Sequence, residues 1–304
     1  MHTVEAGKRI ALSNILFATD FSFCSNSALP YALAMARRYG ATVHAANVLP
    51  TLESKVVLSP DAWPAVVDDD DEQVKHYVEN LEKHFQEVPH EILLPRGNVA
   101  DVLAGIISDR DIDLVVLGTH GRSGIGKLFL GSVAEEIFRR ASCPVLSVGP
   151  HVFGKPGSEL SFRHILFATD FSEDSRAALP FAFSLAEEDE ASLTLLHVVA
   201  QPEAGITDCE GVRASLLDRL QQLVPPEAES WCHTECRIEF GHIFEPPAET
   251  ILQVAMAHAA DLIVLGARAV QGKLGMATHL TSTTARILTQ AICPVLTVRD
   301  GSTH

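Results

Sequence analysis

The sequence contains the same domain-length pattern twice. Residues 15–22 read ILFATDFS, and residues 165–172 read ILFATDFS again, at an offset of 150 positions. Residues 143–146 (CPVL) return at the same offset as residues 293–296. A period of this length matches one compact domain and is far longer than the roughly 20 to 50 residues of a solenoid repeat. The chain is therefore predicted to be one domain duplicated in tandem.

The boundary between the two copies falls in a stretch rich in turn-forming residues. Residues 154–158 read GKPGS, a composition that is typical of a linker. We therefore predict a first domain over residues 1–150, a linker over 151–161 and a second domain over 162–304. The total length of 304 residues is ordinary for two domains.

Within each copy, short apolar runs alternate with segments of helical periodicity. The predicted strands of the first copy are Asn14–Ala18, Thr42–Leu49, His90–Leu94, Leu114–Leu117 and Val145–Val148. The predicted helices span residues 25–39, 68–87, 99–109 and 132–140. Apolar strands between helices favour a parallel sheet covered by helices on both faces. Such sheets bind ligands at the carboxyl ends of their strands, which predicts a site at the loops after Ala18 and Leu117.

The loop after the fourth predicted strand is rich in glycine. Its five glycines are Gly118, Gly121, Gly124, Gly126 and Gly131. Such a loop exposes peptide N–H groups, and the following helix adds the positive end of its dipole, so the segment is suited to bind an anion. Arg122 and Lys127 add positive charge, and Ser132 can cap the helix or donate its hydroxyl group to a phosphate. A flexible surface loop without a ligand is the alternative.

Part of this loop matches the beginning of a P-loop. Gly121, Gly126 and Lys127 have the Walker A spacing, but Leu128 stands where a Ser or Thr would bind magnesium. The helical periodicity also begins near Ser132 and not at the lysine. The sequence therefore disfavours a P-loop hydrolase.

Together these residues resemble the universal stress protein family, in a tandem arrangement that covers nearly the whole chain. The ATP-binding signature of that family is Gly, two residues, Gly, nine residues, Gly, and then Ser or Thr. The first copy fits it throughout with Gly118, Gly121, Gly131 and Ser132. The TDFS segment and the terminal CPVL strand strengthen the resemblance.

The resemblance implies an α/β fold of two tandem, Rossmann-like, open five-stranded parallel sheets. Each sheet would have the strand order 3-2-1-4-5, with helices on both faces. Members of the family commonly pair through their last strands. The resemblance therefore implies an intramolecular pseudo-dimer through Val145–Val148 and Val295–Val298, and it leaves a homodimer of two chains open.

The resemblance also implies an adenine nucleotide, ATP, bound to the first copy. Ala18 and Val48 would line the adenine slot, and Asp20 would contact the ribose or adenine end. Gly118 and Gly121 would lie beside the ribose and the phosphates. A carboxylate at the end of the first strand can accept hydrogen bonds from ribose hydroxyl groups, although Asp20 could equally cap the following helix.

At the other end of this site, Gly131, Ser132 and Val133 would cradle the phosphates. Arg122 would supply positive charge, and Mg²⁺ would be carried by the ATP itself. We predict no protein metal site. The spacing Cys232-His233-x-x-Cys236 resembles a metal motif, but the segment also reads as a strand with packed thiols, which we favour.

The second copy departs from the signature. Gly266 remains, but Ala269 replaces the second glycine and Thr281 the third, once a two-residue insertion is allowed for. Side chains at these positions would hold a nucleotide away from the backbone. We therefore expect one ATP site, in the first copy. The opposing possibility is a different anion pocket built by Arg268, Lys273 and Thr281.

Charge and composition limit the remaining partners. The chain has 23 basic and 39 acidic residues, a net charge of −16, which disfavours nucleic acid binding. Residues 1–8 lack a signal-peptide core, and no run approaches the roughly 18 apolar residues of a membrane helix. The six cysteines do not suggest a disulfide framework. We expect a cytoplasmic protein without membrane attachment.

These observations predict a stress-response protein whose ATP occupancy switches its conformation or a partner surface. No histidine is placed by a motif to activate Ser132, so the sequence shows no catalytic constellation and favours no turnover enzyme. A slow ATPase or an autophosphorylating enzyme is one alternative. An interaction scaffold without a ligand is another.

Overall fold

A computed structural model of the chain describes most of both copies. The described residues are 10–49, 71–121, 130–152, 160–200, 209–241, 245–267, 269–270, 279–280 and 282–300. The strands of the first copy are β1 (Asn14–Ala18), β2 (Thr42–Ala46), β3 (His90–Leu93), β4 (Leu114–Gly118) and β5 (Val145–Val148). Its helices are α1 (Phe23–Tyr39), α2 (Asp71–Phe85), α3 (Val99–Asp109) and α4 (Ser132–Arg140).

The second copy repeats this order and adds a short hairpin. Its strands are β6 (His164–Ala168), β7 (Ser192–Val199), β8 (Thr234–Phe240), β9 (Leu262–Gly266), β10 (Ala269–Val270), β11 (His279–Leu280) and β12 (Val295–Val298). Its helices are α5 (Glu173–Asp189), α6 (Cys209–Gln221), α7 (Pro247–Ala257) and α8 (Ser282–Gln290), with a 3-10 helix at Pro226–Ser230. The strands β10 and β11 pair antiparallel.

Helix α1 begins two residues before the predicted start because Ser22 caps it. The hydroxyl oxygen of Ser22 accepts a hydrogen bond from the Ser25 amide at 3.3 Å, which satisfies one of the free N–H groups of the first turn. Gly40 ends the helix in the left-handed conformation, with φ of 65°. In the second copy Ser172 caps α5 in the same way.

The strands of both copies form one ten-stranded sheet, so the two predicted five-stranded sheets are present and are continuous with each other. The strand order is β3-β2-β1-β4-β5-β12-β9-β6-β7-β8, which contains the predicted order 3-2-1-4-5 once in each copy. The copies join where β5 pairs antiparallel with β12, with Leu146 opposite Leu296. An unpaired strand edge exposes free N–H and C=O groups, and this pairing satisfies both edges.

The sheet is covered on both faces, as predicted. Alternate residues of β1 point in opposite directions, so Ile15 and Phe17 join the core beneath α1, α2, α5 and α6. Leu16 joins the core beneath α3, α4, α7 and α8. Among the described residues, no helix combines the length and the apolar composition needed to cross a lipid bilayer.

Candidate functional site

A cavity of about 300 Å³ opens at the carboxyl ends of β1, β2 and β4 in the first copy. Its lining residues are Ala18, Thr19, Asp20, Ser25, Ala46, Asn47, Val48, Val99, Leu103, Leu117, Gly118, Thr119, His120, Gly121, Gly131, Ser132, Val133 and Ala134. This is the place where the chain leaves the sheet in opposite directions from β1 and β4. Parallel sheets of this type bind ligands at such a point.

One half of the cavity is apolar. The strand ends contribute Ala46 and Leu117, which are buried, and Val48 follows β2. Helix α3 contributes Val99 and the buried Leu103. This half can accept a flat apolar group such as a heteroaromatic ring.

The other half is polar and centres on Asp20. One carboxylate oxygen, Oδ1, accepts a hydrogen bond from the Ser22 amide at 3.0 Å, which fixes the side chain beside the turn into α1. The other oxygen, Oδ2, lies 2.8 Å from where a Cβ on residue 121 would stand. Only glycine at position 121 leaves this carboxylate where it is. The glycine loop and Asp20 therefore form one site, in which the glycine at position 121 makes room for the carboxylate.

The glycine loop is tied to the start of α1 and to the sheet. The Ser22 hydroxyl group donates to the His120 carbonyl oxygen at 3.2 Å, and the Gly131 amide donates to the Thr119 carbonyl oxygen at 2.9 Å. The hydroxyl group of Thr119 pairs with Nδ1 of His120 at 2.8 Å. Both ends of the loop are therefore held, although residues 122–129 lie outside the described part of the chain.

In the described part of this loop, His120 is the titratable side chain, and its surroundings shift its pKa. Its Nε2 is buried and has no hydrogen-bond partner among the described residues. Burial, together with repulsion from the nearby His151, lowers the pKa of His120 below its ordinary value. The imidazole is therefore held in its neutral form.

Helix α4 presents an uncapped N-terminus to the cavity. Its N-cap residue is Gly131, which has no side chain to accept hydrogen bonds from the first turn. Ser132, Val133 and Ala134 form that turn and line the cavity. Free N–H groups and the positive end of the helix dipole are suited to bind a phosphate group.

Gly118 has a packing role that its copy in the second domain shares. A Cβ at Gly118 would lie 2.6 Å from the backbone of Cys24 and Ser25 in α1. A Cβ at Gly266 would lie 2.3 Å from the Ser175 amide nitrogen in α5. The close approach of each helix to its strand therefore requires glycine, whether or not a ligand binds.

The second copy arranges the equivalent residues differently. Asp170 corresponds to Asp20, and its Oδ1 accepts the same hydrogen bond from the following serine amide, that of Ser172, at 3.0 Å, but it also accepts one from the Ser175 hydroxyl group at 2.6 Å. Burial opposes ionisation, but these bonds outweigh it and lower the pKa of Asp170. This carboxylate serves its own helix turn. The hairpin β10–β11 stands where the first copy has its glycine loop.

The structure brings together most of the residues that the sequence singled out. Eight of them line the cavity: Ala18, Asp20, Val48, Gly118, Gly121, Gly131, Ser132 and Val133. Arg122 lies outside the described residues, as do Arg268, Lys273 and Thr281 of the alternative anion pocket. No sequence signal identified Val99 and Leu103, because a helical apolar stripe does not show which residues face a cavity.

The two cysteines of the Cys232-His233-x-x-Cys236 motif are packed in the structure and do not converge with other metal-binding side chains among the described residues. Strand β8 begins at Thr234, after Cys232, and the Cys232 thiol pairs with the Thr234 hydroxyl group at 3.2 Å. Burial raises the pKa of Cys236 to about 11. Within the described ranges, no three metal-binding side chains converge. Both cysteines belong to the packing of the sheet.

A sequence model of the universal stress protein family matches the chain twice, over residues 12–149 and 161–299. The chain belongs to the universal stress protein family. A universal stress protein of Mycolicibacterium smegmatis is 28% identical over 307 residues, which cover 94% of this chain and 96% of that protein. This tandem universal stress protein is also 32% identical over 144 residues to a relative from Thermus aquaticus, covering 44% of this chain and 96% of that protein.

The fold is found in a solved structure of the same family. A universal stress protein from Archaeoglobus fulgidus superposes with a TM-score of 0.67 over 94% of this chain and 98% of that chain. The sequences are 18% identical in that comparison, so the likeness concerns the fold.

Proposed function

We propose that this tandem universal stress protein binds ATP in the cavity of its first domain. The observation that carries the proposal is the joint arrangement of Asp20, Gly121 and the uncapped N-terminus of α4 around one cavity. An apolar slot, a carboxylate and a set of free backbone amides are the three features that adenine, ribose and phosphate require in turn.

Each part of the nucleotide has residues suited to it. Ala18 and Val48 would pack against the adenine ring, and Asp20 would accept hydrogen bonds from the ribose hydroxyl groups. Because the Gly131 amide already donates to the Thr119 carbonyl oxygen, the amides of Ser132 and Val133 in the first turn of α4 would hold the phosphates, with Gly131 leaving room for them. Gly118 would lie beside the ribose and phosphates, although packing against α1 already requires it to be glycine. Gly121 would let the ligand approach the backbone beside Asp20, and its lack of a side chain supports this part of the proposal.

Magnesium would enter with the nucleotide. No three metal-binding side chains converge in the described part of the chain, so phosphate oxygens would supply most of the ligands. The hydroxyl group of Ser132 is the protein group at the phosphate end that could join them. The ion would neutralise phosphate charge in a protein whose net charge is −16.

ATP would act here as a signal and not as a substrate with rapid turnover. The cavity contains His120, whose Nδ1 pairs at 2.8 Å with the hydroxyl group of the fully buried Thr119, and among the described residues no hydrogen bond joins this imidazole to Ser132 at the phosphate end. Occupancy would instead bias the conformation of the protein or of a surface that a partner recognises. We propose that the protein carries out this switch in the cytoplasm, with its two domains acting as an intramolecular pseudo-dimer.

The substitution Gly121→Ala tests this site without disturbing the fold. The new Cβ would meet Oδ2 of Asp20 at 2.8 Å, and this flexible carboxylate can move away while the backbone stays in place. We expect ATP affinity, measured by isothermal titration calorimetry, to fall by about tenfold or more, since a charged hydrogen bond is displaced. The free energy of unfolding should change little.

Gly105→Ala is the matched control. Gly105 lies in α3, and a Cβ there would meet nothing within 4 Å, so ATP affinity should equal that of the wild type. Equal affinities of Gly121→Ala and the wild type would refute this site. A wild-type protein that neither binds ATP nor releases a co-purified nucleotide on denaturation would refute the function, and ADP accumulating at about one turnover per second would instead favour an enzyme.

A further inference from the structure

Helix α4 of the first domain is held at its far end by the second domain. Its N-terminus lines the cavity, and its last residues are Arg139 and Arg140. The guanidinium group of Arg299, in the segment after β12, donates a hydrogen bond to the Arg139 carbonyl oxygen. The last carbonyl groups of a helix have no partner within it, so this arginine satisfies one of them from across the domain boundary.

The contact is favourable in charge as well as in geometry. A cation at the C-terminus of a helix interacts well with the helix dipole. The other two cations of this turn are engaged elsewhere, since Arg139 pairs with Glu136, and Arg140 pairs with Asp101 at 2.6 Å. Arg299 itself is half-buried. It is therefore placed to hold the helix end and not merely to lie on the surface.

At the equivalent position, the first domain has no side chain that could make this contact to α8. The residue of the first domain that corresponds to Arg299 at the offset of 150 is Gly149, which has no side chain to reach α8. The residue that corresponds to Arg139 is Thr289, whose hydroxyl group donates within its own helix to the Ala285 carbonyl oxygen at 3.1 Å. This particular contact, at the end of α4, is therefore made by the second domain to the first without a counterpart at the equivalent positions.

Two further contacts bring the second domain to the same region. Strand β11, part of the hairpin that replaces the glycine loop, lies beside α4. At Gly149, a Cβ would lie 3.2 Å from the Leu288 carbonyl oxygen of α8 and 3.7 Å from Oγ1 of Thr119. Thr119 is fully buried and lines the cavity. The interface between the domains therefore reaches the wall of the cavity.

We propose that Arg299 is a positioning residue for the nucleotide site of the first domain. By holding the C-terminal end of α4, Arg299 fixes the position of the backbone amides in the first turn of that helix. A helix of nine residues is only about 13 Å long and moves as a unit, so a change at one end is felt at the other. The copy that lost the binding signature thus keeps a role in the site of the other copy.

The test compares Arg299→Ala, Arg299→Lys and Arg176→Ala with the wild type in the full-length protein. Arg176 is an exposed arginine of the second domain that pairs within α5, so it controls for the loss of a positive charge. Hydrogen exchange of α4 amides is measured without ligand, with the amides of α3 as an internal reference. ATP affinity is measured by titration calorimetry.

In Arg299→Ala we expect α4 amides to exchange about tenfold faster while α3 amides are unchanged, and ATP to bind about three- to tenfold more weakly. Arg299→Lys, which keeps a donor and a charge, should recover most of both effects. Arg176→Ala should behave as the wild type. Recovery by lysine would not be expected if Arg299 only filled space.

Unchanged exchange in α4 would overturn the inference, as would faster exchange in α4 with unchanged ATP affinity. Faster exchange in both α3 and α4 would mean general destabilisation and would also overturn it. The affinity arm rests on the proposed function. If the wild type does not bind ATP, the proposed function fails, and the exchange rates still decide whether Arg299 positions α4.

Discussion

At the scale of single residues, identical sequence does not produce identical chemistry. Phe21 and Phe171 follow the same aspartate in the two copies and adopt the same left-handed backbone, with φ of 60° and 62°. Yet Asp20 lies beside the glycine loop, whereas Asp170 is bonded to Ser175. The eight identical residues fix the turn. The residues that face the turn decide whether its carboxylate can serve a ligand.

His120 offers a prediction at this scale. Because burial and His151 lower its pKa in the folded protein, the unfolded chain takes up a proton at a higher pH, near 6.5. Stability contributed by the neutral imidazole is therefore complete above this pH and is lost as the pH falls below it. In His120→Gln we expect the free energy of unfolding, measured in urea, to decrease less between pH 7.5 and pH 5.5 than in the wild type.

The exposed His233 provides the control for removing an imidazole, in the variant His233→Gln. The comparison is made in the absence of nucleotide, because a bound phosphate would itself favour the protonated form of His120. A decrease in His120→Gln as large as that of the wild type would contradict the prediction.

At the scale of elements, the N-termini of the helices differ in whether a side chain caps them. Helices α1 and α5 are capped by serines, so one N–H group of each first turn is satisfied by a side chain of the protein. Helix α4 begins at a glycine without a side-chain cap and faces the cavity. A capped helix contributes stability at its start, whereas an uncapped one leaves donors for a ligand.

Ser22→Ala and Ser172→Ala form a matched pair that separates these roles. Each removes a cap, so each should lower the free energy of unfolding by about 1 kcal/mol, measured by chemical denaturation. The Ser22 hydroxyl group also donates to the His120 carbonyl oxygen at 3.2 Å. We therefore expect weaker ATP binding in Ser22→Ala and unchanged binding in Ser172→Ala. Equal ATP affinities in the two variants would show that this bond does not support the loop.

At the scale of the whole molecule, the two domains are joined by more than the strand pair. Arg38 of α1 forms an ion pair of 2.7 Å with Asp189 of α5, and the two side chains are 18% and 6% exposed. Beside it, the Tyr39 hydroxyl group donates to Glu188 at 2.5 Å. Burial and this carboxylate raise the pKa of Tyr39 far above its ordinary value. The tyrosine is a permanent hydrogen-bond donor at the interface.

Breaking this ion pair should destabilise the whole chain. Arg38→Ala leaves Asp189 charged and buried without its cation, and we expect a loss of about 3 kcal/mol in the free energy of unfolding. The neighbouring Arg37 pairs with Glu87 in an exposed position, so Arg37→Ala should cost less than about 1 kcal/mol. Urea denaturation of both variants gives the measurement, and equal losses would contradict the role of burial.

The sequence alone determined the duplication, the class of fold and most of one site. Strands and helices follow from apolar periodicity, which is local, so α3, α4 and β5 have the predicted bounds. The glycine signature was readable because it depends on residues close together in the chain, and it located Gly121 and Gly131 at the cavity.

Only the tertiary structure decided the contacts between residues that are far apart in the sequence. Three of these contacts join residues about 100 or more positions apart. They are the pairing of β5 with β12, the approach of Asp20 to Gly121, and the hydrogen bond from Arg299 to the end of α4. No periodicity records such pairs, because their geometry arises only when the whole chain packs. The sequence therefore identified most of the residues that line the cavity, and the packing of the two copies decided how those residues are held.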